Sequence, residues 1–167
     1  MHDAAIMAAY HRKNRAHLQP WEPARGADFF TESFWEFRLQ FWEEQHRIGT
    51  AAYFISVDES DLQVIATCSL TNVVGGAFKA CNMGYSVSED MQGKGAMTAL
   101  LKHSIDIAFN DMGLHRIMAN YMPRNTRSAA ILKRLGFVKE GLAKSYLLIN
   151  GTWEDHVLTA LVNPRDS

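Results

Sequence analysis

Cysteine, proline, excess charge and long apolar runs are all scarce in this chain, and each scarcity removes a class of function. The only cysteines are Cys68 and Cys81. They have no CxxC spacing and no histidine at a zinc-like interval, so they read as reduced, buried thiols rather than a disulfide framework or a redox motif. Seven histidines are present, but none forms HxxH or HxxxH, and no metal is expected. With 17 Lys+Arg against 18 Asp+Glu, the formal net charge is −1. That balance argues against a protein that coats nucleic acid, and no DNA partner is expected. No apolar run approaches the roughly 20 residues that a bilayer requires, and the N-terminus lacks a basic-then-apolar leader. The expectation is a cytoplasmic protein with no membrane partner.

The rest of the composition is that of an ordinary globular chain. Its 167 residues, 47% of them apolar, suit one hydrophobic core and one domain spanning 1–167. Helix formers across 4–18 predict a weakly patterned helix, and Pro20 and Pro23 bracket Trp21–Glu22 in an extended or turned segment. A second helix is predicted over 28–46, with Phe30, Phe34, Phe37 and Phe41 as an aromatic stripe packed into the core. Strands are predicted over 51–57 and 62–73, separated by a turn at Asp58-Glu59-Ser60-Asp61, and over 79–88, making an antiparallel meander. From Met97 to Met112 apolar residues recur at helical spacing, with Gly113 placed to end the helix. A strand over 116–121, a short helix from Asn125 to Leu135 and a hairpin with Asn150-Gly151 at its turn complete the order. The fold class is α+β, or α/β layered: a mixed, mostly antiparallel central sheet flanked by helices.

Chemistry concentrates between the third strand and the long helix, at Gln92-Gly93-Lys94-Gly95-Ala96-Met97. A strand–glycine turn–helix junction presents unpaired backbone N–H groups at the positive end of a helix dipole. Glycine lets that backbone approach a ligand without a Cβ in the way, and phosphate oxygens suit the result. A P-loop fails, because Gly95 follows Lys94 and no glycine stands five residues before Gly93. A Rossmann fingerprint fails as well, because Thr98 occupies its third glycine position.

The stretch resembles the pyrophosphate loop of the GCN5-related N-acetyltransferase (GNAT) superfamily, [QR]-x-x-G-x-[GA], through Gln92 and Gly95, with Met97 departing from the small sixth residue. A second superfamily element, an Asn that opens a short helix ending in Gly-Phe, is matched by Asn125 through Gly136-Phe137. Pro20-Trp21-Glu22-Pro23, the run His115–Pro123, and Lys144–Leu161 with Trp153 and Asp155-His156 are similar to the Rim-type ribosomal-protein-alanine N-acetyltransferases. The family opens with a strand before its first helix; this chain opens in the helix, so that strand is expected to be missing.

The resemblance implies acetyl-CoA as cosubstrate. Backbone N–H groups across Gln92–Met97 would hold its pyrophosphate, and Tyr85, Ser86 and Val87 would pair with the pantetheine arm beside a splayed neighbouring strand. Asn120, Asn125 and Ser128 would complete the CoA site. Many relatives use a tyrosine as thiolate acid four residues before the Gly of Gly-Phe, where this chain has Leu132; Ser128, one turn earlier, is the expected substitute. Glu22 is the favoured base, with Asp155, Glu89 and Glu140 as other candidates, while Trp21, Glu22, Tyr146 and Asp155 are expected to shape the acceptor slot. An α-amine has a pKa of about 7.7–8.0 against about 10.4 for lysine, so a weak base suffices for an N-terminal acceptor. The resemblance implies the N-terminal alanine of a small-subunit ribosomal protein as acceptor, with ribosome contact among the expectations; the charge of Arg124, Arg127, Lys133 and Arg134 around the short helix could meet the CoA 3′-phosphate or a ribosomal surface, against a solvated helix face as the default. A small amine or antibiotic acceptor, a non-catalytic ribosome-assembly factor that binds CoA, and a CoA-level sensor remain open alternatives.

Overall fold

A computed structural model describes residues 2–58, 60 and 62–166, with the side chain of His2 excepted. Glu59 and Asp61, and with them part of the turn expected there, lie outside the described residues. The elements are α1 (His2–Lys13), α2 (Arg15–Leu18), α3 (Glu32–Arg47), β1 (Ala52–Asp58), β2 (Gln63–Val74), β3 (Ala80–Val87), α4 (Ala96–Asn110), β4 (Arg116–Met118), α5 (Thr126–Arg134), β5 (Val138–Ile149) and β6 (Thr152–Val162). Single 3-10 turns occupy Gln19–Trp21, Ala27–Phe30 and Glu89–Met91. No strand precedes α1 among the described residues.

The six strands lie in the order β1-β2-β3-β4-β6-β5. Only β3 and β4 run parallel; every other neighbouring pair is antiparallel. Ala66, Cys68 and Leu70 of β2 belong to the core cluster that also holds Leu100, Leu101 and Ala108 of α4 and Ile131 and Leu132 of α5. Thr67, between two of them, points the other way and bonds Ser86, which in turn bonds Tyr10 of α1. Period-two alternation therefore puts α4 and α5 on one face and α1 and α3 on the other. Burial of a leucine as completely enclosed as Leu101 contributes about 1.5–3 kcal/mol.

Three sequence expectations are corrected. The helix expected over 4–18 breaks at Asn14, which is buried: its Nδ2 donates to the Tyr10 carbonyl at 2.9 Å, and its Oδ1 accepts from Glu89 N–H at 2.9 Å and Ser88 Oγ at 3.1 Å. The break ties the end of α1 to the end of β3. The helix expected over 28–46 begins only at Glu32, because the 3-10 turn Ala27–Phe30 comes first and the Thr31 hydroxyl caps Phe34 N–H. Of the phenylalanine stripe, only Phe34 lies on the buried face of α3. Phe37 is 72% exposed and Phe41 46%, whereas Trp35 is 2% exposed. The inward face carries Phe34, Trp35, Leu39 and Trp42 against α1, because the helix is rotated to place its indoles, not its outer phenyl rings, over α1.

The strand expected over 116–121 is regular only to Met118; Tyr121 then makes an isolated bridge to Val157. That shortening creates the functional cleft. β3 and β4 pair at Ala80–Arg116, Cys81–Ile117 and Asn82–Met118 and no further. Beyond that point β3 remains with β2, while Ala119 and Tyr121 N–H groups bond Thr159 and Val157 carbonyls of β6 at 3.0 and 3.2 Å. The sheet divides into a wedge.

Candidate active site

The wedge opens into a cleft of about 1280 Å³ that runs from the β3–α4 junction to the α2–α3 connection. Backbone polarity along β3 is set by two bonds. Arg116 N–H donates to Lys79 O at 3.1 Å, so odd positions face β4; Ser88 N–H donates to Ile65 O at 2.8 Å, so even positions face β2. With a two-residue period, the N–H and C=O groups of Tyr85 and Val87 point into the wedge, where no strand answers them. The side chain of Ser86 turns away, bonded to Tyr10 Oη at 2.8 Å and Thr67 Oγ1 at 2.9 Å.

Beyond the end of β3 lies the glycine junction. Gln92 is extended (φ −60°, ψ 144°), and Gly93 and Gly95 have φ of +74° and +85°. Gly95 is the residue before α4, and Ala99 N–H is the first to find a helical carbonyl, that of Gly95 at 3.0 Å. The N–H groups of Ala96, Met97 and Thr98 thus have no helical acceptor and point out of the helix start. Such a cradle fits a pyrophosphate. Lys94 does not reach in; its Nζ folds back on Met91 Sδ at 3.7 Å. The Gln92 side chain is held between His17 Nε2, at 3.0 Å, and Arg127 Nη1. Neither His17 nor this use of Arg127 has a local sequence signal, since each depends on α2 and α5 meeting the loop.

The start of α5 closes the wedge. Asn125 Oδ1 accepts from Ser128 N–H at 3.1 Å, an N-cap that fixes the first turn. Ser128 Oγ lies 2.5 Å from Tyr85 Oη. Burial raises the Tyr85 phenol to about 12, so at neutral pH this pair is two protonated hydroxyls. Leu132 is buried and offers no proton. Asn120 donates from Nδ2 to Tyr146 Oη at 3.4 Å and accepts Thr159 N–H at 3.2 Å, spanning the final hairpin.

At the α2–α3 connection, Glu22 faces the cleft beside Trp21 and Pro23. Its carbonyl accepts Asn150 N–H at 3.0 Å, anchoring this segment to the hairpin turn. Burial raises its carboxyl pKa, opposed by Arg25 at 3.6 Å. The Arg124 guanidinium lies 5.6 Å from the Trp21 ring and pairs with Glu154 at 2.8 Å.

Asp155 is not brought to the cleft. Lys144 at 2.7 Å and Ser145 N–H at 2.9 Å engage its carboxylate and hold its pKa down. Its position follows from the irregular register between Ala143 and Leu147, where Ser145 adopts φ +46° and needs a local acceptor. Tyr146 stands at the rim, 41% exposed, linked to the cleft through Asn120. Of the other carboxylates, Glu140 pairs with Arg116 and Glu89 is exposed. Among the described residues, no group of three or more His, Cys, Asp or Glu is arranged to hold a metal ion, and no helix is long and apolar enough to cross a membrane.

A divided sheet with free strand amides beside a glycine-flanked helix start defines a coenzyme A-dependent acyltransferase. Residues 1–138 match the acetyltransferase (GNAT) domain family, and the chain belongs to it. It is an N-acetyltransferase whose acetyl donor is acetyl-CoA. Over 162 residues it is 48% identical to the [ribosomal protein uS5]-alanine N-acetyltransferase of Escherichia coli K12, covering 97% of this chain and 84% of that one. The crystal structure of ribosomal-protein-S5-alanine acetyltransferase from Vibrio fischeri is similar with a TM-score of 0.94 at 48% identity, over 97% of this chain and 88% of the other. Mycobacterium smegmatis RimJ, solved in complex with CoA-disulfide, aligns with a TM-score of 0.90 at 33% identity, over 98% and 78% of the two chains.

Proposed function

We propose that this enzyme acetylates the N-terminal α-amine, alanine in the first instance, of a small-subunit ribosomal protein in the cytoplasm. The single observation carrying the peptide acceptor is the cleft itself. Its lining extends beyond Glu22 to Phe29, Arg38, Trp42 and Tyr53, residues apart from the coenzyme loop, and 48% identity to an alanine N-acetyltransferase supports the same acceptor.

The donor lies with its pyrophosphate on the Gly93–Thr98 amides and its pantetheine arm against the free backbone of Tyr85 and Val87. Val87 N–H serves the thioester carbonyl oxygen as negative charge develops there. The amine lone pair attacks the carbonyl carbon and forms the C–N bond. Glu22, directly or through one water, takes the amine proton, and its raised pKa makes it a better acceptor than an ordinary surface carboxylate. As the C–S bond breaks, the Ser128–Tyr85 hydroxyl pair gives the leaving thiolate a proton. The tyrosine hydroxyl that many relatives carry on the helix thus comes here from β3.

The test is CoA thiol release from acetyl-CoA, with a short peptide beginning in alanine as acceptor. The control is the same peptide blocked at its N-terminus but containing lysine. Release with the free peptide alone is expected. Equal release with both peptides, or with polyamines only, would overturn the α-amine assignment.

A further inference from the structure

The charge lining the cleft is strongly one-sided, although the chain as a whole is near neutral. Among the described residues Glu22 is its one acidic side chain, against Arg25, Arg38, Arg124, Arg127 and Arg134. Three of these five are bonded to another side chain. Arg127 is bonded to Gln92 at the pyrophosphate loop, and Arg134 lies on the same short helix. Arg124 pairs with Glu154 and Arg25 with Glu22. Arg38 is half-buried, and no carboxylate among the described residues pairs with it. Its guanidinium stands 5.9 Å from the ring centres of both Phe41 and Trp42, and close enough to Tyr53 to act on that phenol.

Arg38 lines the lobe of the cleft on the α1- and α3-facing side of the sheet, together with Phe29, Trp42 and Tyr53. One wall is a run of touching rings. Arg25 lies over Phe29 at 4.5 Å, Phe29 meets Trp35 at 5.3 Å, Trp35 meets Trp42 at 5.5 Å, and Trp42 stacks on Tyr53 at 4.0 Å. The floor is the α1-facing side of the sheet, where Thr67, Ser69, Thr71 and Gly84 line the cleft. Hydroxyls and a bare backbone below, flat rings beside and a cation among them suit an extended polypeptide. They do not suit a second nucleotide, because no glycine-flanked helix start faces this lobe.

We infer that the lobe holds the acceptor chain beyond its first residue, and that Arg38 binds an acidic side chain of that segment. This rests on the acceptor being a polypeptide N-terminus, as proposed above. The amine lies by Glu22, the chain runs outward along the half-buried rings of Phe29 and Trp42, and an Asp or Glu carboxylate meets the Arg38 guanidinium in a charge-assisted hydrogen bond. At about 3.3 Å per extended residue, the ring wall takes three to five residues, so the acidic residue falls between acceptor positions 3 and 6. Arg38 then selects among alanine-starting chains, which the catalytic groups alone do not distinguish.

The experiment uses hexapeptides beginning with alanine, in which one Asp, or one Asn as control, is moved through positions 3 to 6. At one position the Asp peptide is expected to have about a five- to tenfold higher kcat/KM than its Asn control, expressed in KM. Arg38→Gln is expected to bring that ratio to about one. Arg38→Glu is expected to reverse the preference toward a peptide with Lys at the same position, a gain that a merely misfolded variant would not show; retained acetyl-CoA binding confirms that each variant folds. Equal kcat/KM for Asp and Asn peptides at all four positions, with acetyl transfer proceeding, would overturn the inference and leave the acceptor reading intact. Turnover of no peptide would instead overturn the acceptor reading, and the inference with it.

Discussion

Two hydroxyls 2.5 Å apart, from Ser128 on α5 and Tyr85 on β3, share one task at the leaving sulfur, and their sharing shapes what mutation does. Removing one leaves the other in place, so Ser128→Ala is expected to lower kcat only about tenfold. Tyr85→Phe with Ser128→Ala together is expected to cost about 10²–10⁴, the usual span for a general acid. Simple multiplication of two independent losses in steady-state kcat would show that the hydroxyls do not act as a pair. Glu22 gives the pH dependence. A carboxylate takes a proton only when ionised, and burial has raised its pKa, so kcat/KM falls as pH drops through a point above the ordinary carboxylate range. The acceptor amine titrates separately, near 7.7–8.0. In Glu22→Gln the acid limb due to the carboxylate is expected to vanish while the amine limb stays; a pH–rate profile that keeps both limbs would remove Glu22 from the role.

At the scale of the element, the start of α4 is a backbone device that side chains cannot replace. Gly95 has φ of +85°, and a Cβ built there meets nothing within 4 Å, so Gly95→Ala introduces strain without a clash. The cost is about 1–2 kcal/mol of stability, and a Cβ now stands where phosphate would approach. Chemical denaturation and acetyl-CoA titration together check this: a stability loss in that range is expected with a weakened donor affinity. Full affinity in the variant would show that pyrophosphate does not sit on this turn. The hairpin turn between β5 and β6 is similarly local. Asn150 and Gly151 both have positive φ, as the sequence pair leads one to expect. Helix α3 contrasts with both. Its phenylalanines carry a helical repeat, yet its indoles supply the buried face, since period alone does not say which of two aromatic stripes meets α1.

Across the whole molecule, the divided sheet leaves strand amides of Tyr85 and Val87 unanswered, and donor binding completes a ladder that the protein alone interrupts. Acetyl-CoA is therefore expected to act as a structural bridge between the β1–β3 and β4–β6 halves. At about 100 times its Kd, it should add about 2.7 kcal/mol and raise the unfolding temperature by about 5–10 °C. Thermal unfolding with and without the ligand measures it, and a shift left unchanged by Gly95→Ala at the same ligand concentration would argue that the glycine junction of the wedge is not its seat. On the acceptor side, the aromatic lobe holding Arg38 gives the enzyme a means of choosing a chain, as distinct from an amine.

Features set by short stretches of backbone were legible in the residues: the three-strand meander, the amphipathic helix α4, the glycine turn before it, the Asn125 cap and the Asn150-Gly151 hairpin. These depend on φ preference, period and capping, which act over a few neighbours. The tertiary structure decided what required distant segments to meet. It brought Tyr85 to Ser128 and His17 with Arg127 to Gln92, and it tied Asp155 to Lys144 and Ser145 instead of the cleft. It also gathered Arg25, Arg38 and the three arginines at and before α5 along one cavity. No local rule encodes such meetings, because strand register, the point where β3 and β4 part, and the rotation of α3 are settled by the packing of the whole core.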